Sequence, residues 1–143
     1  MQLDIYQAET ERLVFEQTSM LDDASKRLVE GQLLSPLEQA GVLHALQVLI
    51  ENAIGKAKRM LSAASEPVPV SAYDAFARLA RAGHLKNEEL PQWNDIVGIR
   101  NRIVHDYMNI DMNIILDLVR KGKYHFVAEF LMRPMKMAKS DGD

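Results

Sequence analysis

An arginine and a histidine five residues apart, Arg100 and His105, stand in the run Ile96-Val97-Gly98-Ile99-Arg100-Asn101-Arg102-Ile103-Val104-His105-Asp106-Tyr107. These residue types suit phosphodiester cleavage. An imidazole titrates near neutrality and can move a proton to or from a reacting oxygen. A guanidinium can hold the negative charge that develops on a phosphate. Neither needs a metal. The chain has no cysteine, which removes thiolate nucleophiles, disulfides and cysteine-bound zinc together. No histidine and carboxylate pair shows metal-ligand spacing, and the glycines are scattered singly, so no phosphate-cradling loop exists. No metal or cofactor is expected.

A helix is the element that must position this run. Projected at about 100° per residue, Ile96, Val97, Ile99, Ile103 and Val104 form an apolar arc around Trp93, with Arg100 in its middle. Asn94, Gly98, Asn101 and His105 form a polar strip beside it, while Arg102 and Asp106 point to the opposite side. An unpaired guanidinium in an apolar stripe costs roughly 3–5 kcal/mol. Arg100 therefore calls for a core carboxylate, a carboxylate or carbonyl on a second subunit, or a bound phosphate. Gly98 weakens the helix by about 1 kcal/mol and suits a place where a backbone or ligand approaches closely. His105 has a structural alternative, because a helix C-terminus favours the imidazolium form. On a straight helix Arg100 and His105 lie about 140° apart. One phosphate can meet both only if the helix ends before His105 or a second copy completes the site.

The rest of the chain reads as helix throughout. Residues 2–30 place Tyr6, Leu13, Met20, Leu21, Ala24 and Leu28 at helical spacings, with Gly31 as a stop. Ser35-Pro36-Leu37-Glu38 is a capping box with proline in the first turn. The helix it opens runs to about Ala64 over a core stripe of Leu43, Leu46, Leu49, Ile50, Ala53, Ile54, Ala57, Met60 and Leu61. Pro67 and Pro69 interrupt the chain. Ser71 to Asp74 opens a short helix ending near Gly83. The motif helix spans about Asn87 to His105. Asp111 caps a further short helix, and Gly122 precedes a last one ending at Arg133-Pro134. The pattern predicts an all-α, antiparallel bundle of four to five helices over residues 1–139, with 140–143 as a disordered tail.

Composition bounds the setting. The chain has 143 residues, 48% hydrophobic and 26% charged, enough to bury a core in one domain. No apolar run reaches 18 residues and the start is not basic-then-apolar, so a cytoplasmic protein that crosses no membrane is expected. The net charge of −3 argues against a general nucleic-acid binder. Its distribution is uneven: residues 1–31 carry −4 and residues 120–139 carry +5. The basic end could meet a phosphate backbone, or its charges could simply solvate a helix. On the second helix, His44, Gln47, Glu51 and Gly55 read as a solvated face, although Glu51 could meet Arg100 across the bundle. His84 reads as a turn residue and His125 as packed at the last helix. Eight methionines suggest adaptable packing or a partner surface.

The run from Ile96 to Tyr107 resembles the signature of the HepT-like branch of the HEPN toxins. That signature is Arg, Asn, three variable residues, His, one variable residue and Tyr, after a Val-Gly-apolar stretch. Arg100, Asn101, His105 and Tyr107 occupy every fixed position. The resemblance implies a HEPN-like helical fold that dimerises through the motif-bearing helix, with two copies of the motif facing one cleft. It implies a metal-independent ribonuclease toxin in which Arg100 and His105 are catalytic and Asn101 orients the site. The implied partners are RNA, a second copy and a minimal nucleotidyltransferase antitoxin that silences the toxin by transferring AMP to Tyr107. Read from the residues alone, two alternatives stay open. One is a non-catalytic helical module that binds nucleotide or docks a nucleotidyltransferase; the other is a structural motif closing a dimer through buried ion pairs.

Overall fold

The computed structural model describes residues 2–135. Among them lie six α-helices, two 3-10 turns and no strand. The long pair is α1 (Gln2–Val29) and α2 (Pro36–Ala63). The shorter ones are α3 (Ala72–Arg81), α4 (Leu90–His105), α5 (Met112–Arg120) and α6 (Tyr124–Met132). Six α-helices form, one for each segment that the sequence reads as helical, although four to five are expected of the bundle; the last two separate at Gly122, as its position suggests. That glycine adopts φ 70°, a left-handed value that glycine reaches without steric penalty, so the chain turns there and α5 and α6 form separately. The expected tail at 140–143 lies outside the described residues, as do Lys136, Met137 and Lys139.

The start of α2 follows from its sequence. Ser35 Oγ accepts from the Glu38 N–H at 3.1 Å, and Glu38 Oε1 accepts from the Ser35 N–H at 2.7 Å. The same carboxylate ties α1 to α2, because Arg27 Nη1 donates to Glu38 Oε2 at 2.5 Å. The Arg27 guanidinium, aided by the Ser35 amide, holds the Glu38 carboxyl down to about 2. At the far end of the pair, the Arg59 guanidinium lies 4.2 Å from the Tyr6 ring centroid. With Arg27 on Glu38 and Arg59 on Tyr6, α1 and α2 run antiparallel. The same logic makes α3 and α4 antiparallel, since Phe76 stacks on Trp93 at 4.1 Å while Tyr73 reaches Gly98.

The core is organised around α2, which packs against α1, α3, α4 and α6. Its expected stripe is buried from Leu43 to Leu61, with Met60 partly covered. On α1 the buried line runs through Thr10, Val14, Leu21 and Ala24. Met20, expected on that line, is 52% exposed because it sits about 100° round the helix from Leu21. One residue on the α2 stripe is charged. Lys56 is 1% exposed, between Ala53 and Met60. Its Nζ donates to the carbonyls of Phe130 at 2.9 Å, Leu131 at 3.1 Å and Arg133. Carbonyls at a helix C-terminus lack an amide partner within the helix, so this ammonium caps α6. Burial, and then the nearby Arg133 charge, lower its pKa to about 8, while Glu11 opposes them. No helix among the described residues is long and apolar enough to cross a membrane.

Candidate active site

Trp93 sets the rotation of α4. Its ring is fully buried, stacked on Phe76 and flanked by Phe126 at 4.8 Å and Phe130 at 5.0 Å. With Ile96, Val97 and Ile103 it buries the expected arc. Val104 departs from that arc and is 42% exposed. The helix continues through His105. Asp106 leaves it at φ −144° and ψ 40°, its N–H still bonded to the Arg102 carbonyl at 2.9 Å. The helix therefore does not end before His105, and Arg100 and His105 keep the separation of a regular helix, about 140°.

Arg100 turns toward α2. Its side chain is 19% exposed and its Nη1 lies 4.0 Å from Glu51 Oε2. That contact is at the limit of an ion pair and beyond hydrogen-bond reach. Arg100 Nε is buried without a hydrogen-bond partner among the described residues. Glu51 keeps its place on the exposed face of α2 beside His44, so it serves both readings that the sequence left open. A guanidinium has five donors in a planar fork, and a contact this loose steers it toward Glu51 without saturating it.

The remaining motif residues look outward. Asn101 is half-buried and His105 is exposed at the last position of α4. Tyr107 opens the 3-10 turn Tyr107–Asn109 and is 50% exposed. Asn109 Nδ2 donates to Asp106 Oδ1 at 2.7 Å and holds that turn. Within one chain, Arg100 and His105 thus face different sides. The Tyr73 hydroxyl is the group nearest Gly98, but a methyl group at position 98 would meet it at 3.4 Å, an ordinary contact, so the close approach expected there is not seen within the chain. Sequence reasoning named neither Tyr73 nor Lys56. For Tyr73 the available signal was Gly98 itself; for Lys56 it was a charge lying on an apolar stripe.

The basic C-terminal region is partly neutralised. Arg120 and Lys121 both pair with Asp117, at 2.5 and 2.9 Å, and Arg133 lies 3.6 Å from Glu89. His125 meets Asp22 at 2.8 Å through Nε2, beside Tyr124, whose hydroxyl also donates to Asp22. Burial and that carboxylate push the Tyr124 phenol up. An open groove runs between the α1–α2 turn, α4 and α5, lined by Leu33, Asp95, Arg102 and Ile114 among others. The four motif positions Arg100, Asn101, His105 and Tyr107 are not part of its lining. No group of three or more His, Asp or Glu side chains converges as metal ligands among the described residues.

The architecture defines a class first: an all-α bundle that carries its Arg–His pair at the end of the fourth helix. The family follows from comparison. Residues 14–133 match the model of the family described as ribonuclease HepT-like, and the chain belongs to that family. A crystal structure of a toxin–antitoxin with AMP-PNP is similar, with a TM-score of 0.64 over 83% of this chain and 97% of that one. The two are 20% identical, so this likeness concerns the fold. No curated protein matches the chain.

Proposed function

We propose that the chain is the cytoplasmic toxin of a toxin–antitoxin pair and cleaves RNA, without a metal, at a site completed by a second copy. The observation that carries this reading is the unbroken course of α4 through His105 while Arg100 turns to α2. Of the two ways to bring Arg100 and His105 to one phosphate, an early helix end is not what α4 adopts, which supports completion by a second copy. Family membership supports the ribonuclease chemistry. The RNA 2′-hydroxyl attacks the adjacent phosphorus, the bond to the 5′-oxygen breaks, and the proton lost by one oxygen is returned to the other through His105. Arg100 holds the charge on the phosphate, and Asn101, on the same strip as His105, orients the substrate or the imidazole.

The partner in this reading is a minimal nucleotidyltransferase antitoxin. That the similar structure is of a toxin–antitoxin supports an antitoxin partner; its being a nucleotidyltransferase rests on the motif resemblance. The exposure of Tyr107 supports AMP transfer to its hydroxyl. The added phosphate would place negative charge and bulk beside the cleft. The experiment for the catalytic claim uses purified chain and RNA in excess chelator. Wild type cleaves, and Arg100→Ala and His105→Ala do not. Cleavage that survives both substitutions contradicts the assignment.

One observation favours a structural role for Arg100 instead, namely its intrachain contact with Glu51. That reading expects Arg100→Ala to unfold the protein or to dissociate it. Melting curves and size-exclusion chromatography on the same variant separate the two.

A further inference from the structure

Asn94, Gly98, Asn101 and His105 follow one strip of α4 at spacings of four, three and four residues. Only Gly98 lacks a side chain there, and a residue from another helix lies against it. A methyl group built on Gly98 would stand 3.4 Å from the Tyr73 hydroxyl, at ordinary van der Waals contact. Tyr73 is the second residue of α3 and is 40% exposed. Its phenol end therefore rests on the α4 backbone at the surface, one helical turn before Asn101. Its placement is held by the core, because Phe76, one turn further along α3, stacks on Trp93 at 4.1 Å. A methyl group would fit there, so it is the absence of any longer side chain at position 98 that leaves the phenol its place on the motif strip.

We propose that Tyr73 is a substrate-positioning residue, whose hydroxyl hydrogen-bonds the backbone of a nucleotide neighbouring the scissile phosphate. This rests on the ribonuclease reading above. Gly98 and His105 are about 10 Å apart along the helix axis at 1.5 Å per residue. A group at Gly98 therefore meets a neighbouring nucleotide and not the reacting phosphate itself. Single-stranded RNA is commonly recognised by aromatic side chains that stack on its bases, and its 2′-hydroxyls and phosphates accept hydrogen bonds; an exposed tyrosine offers both a ring and a donor. The proton chemistry stays with His105, so Tyr73 acts on binding and leaves the chemical step alone.

The test is steady-state cleavage of a short RNA by purified chain. Tyr73→Phe removes only the hydroxyl. It is expected to raise KM roughly tenfold, the effect of losing one hydrogen bond to a charged group, with kcat, Tm and oligomeric state unchanged. Gly98→Val, which displaces the phenol, is expected to raise KM as well. A Tyr73→Phe enzyme with wild-type KM, alongside inactive Arg100→Ala and His105→Ala, overturns the Tyr73 assignment and leaves the ribonuclease reading standing. A raised KM that comes with a lowered Tm marks Tyr73 as structural and overturns it too. If wild type cleaves no RNA, the ribonuclease reading fails and the role of Tyr73 fails with it.

Discussion

Two cations half or fully withdrawn from water show how differently a buried charge can be held. Lys56 is saturated by carbonyls at the end of α6, whereas Arg100 has one loose carboxylate at 4.0 Å. Replacing Lys56 with Met leaves the Phe130 carbonyl with the Arg133 N–H and the Leu131 carbonyl with Gln7 Nε2. It orphans the Arg133 carbonyl, however, and an orphaned buried acceptor costs about 1–3 kcal/mol. Urea unfolding should show that loss. Replacing Arg100 with Ala leaves Glu51 already in water, so stability should change by less than about 1 kcal/mol. Its kcat on RNA should fall by about 10²–10³, as when a charge-stabilising donor is removed. Lys56 also gives a pH signature. Its proton leaves the folded protein at about 8 but the unfolded chain at its ordinary 10.5. Between these values the unfolded chain binds more protons, so wild-type stability gains from this group as pH rises through the window. The gain is absent in Lys56→Met, and unfolding measured across pH 7–10.5 reads the difference. Lys56 lies at a spacing that belongs to the core stripe, yet sequence reasoning passed over it. Its partners are more than seventy residues away in the chain, and no local pattern carries that information.

Helix boundaries were the most legible level, because caps and breakers are local chemistry. Gly31, the capping box at Ser35, the prolines at 67 and 69, and the Asp111 cap all act where their residue types require. The break at Gly122 was legible too, but where α6 packs was not, because its contacts lie on α1 and α2, far away in the chain. The capping box makes a prediction at this scale. Ser35→Ala should lower stability by about 1 kcal/mol, the usual cost of losing an N-cap, measured by thermal melting. Glu38 adds a pH dependence of opposite sign to that of Lys56. Its folded carboxyl is held down to about 2 against an ordinary 4.5. Its contribution is complete above about 4.5 and is lost as pH falls toward 2. Glu38→Gln should flatten the acid limb of the stability curve.

For the whole molecule, the motif itself was legible as a pattern, and the helical projection exposed its difficulty. Arg100 and His105 share a helix but not a face, and the structure keeps them apart by carrying α4 through His105. The basic C-terminal region proved a weaker guide, since Asp117 and Glu89 engage three of its described cations. RNA affinity should accordingly fall with salt less steeply than the formal charge of that region suggests. The central claim is that one copy supplies Arg100 and the other His105. It is tested most directly by mixing Arg100→Ala and His105→Ala chains under conditions of subunit exchange and measuring RNA cleavage in chelator. Each variant alone is predicted to be inactive. The mixed dimer rebuilds one intact site, so activity should return to about a quarter of wild type for a statistical mixture of a two-fold dimer. A fully exchanged mixture as inactive as its components would contradict the shared site.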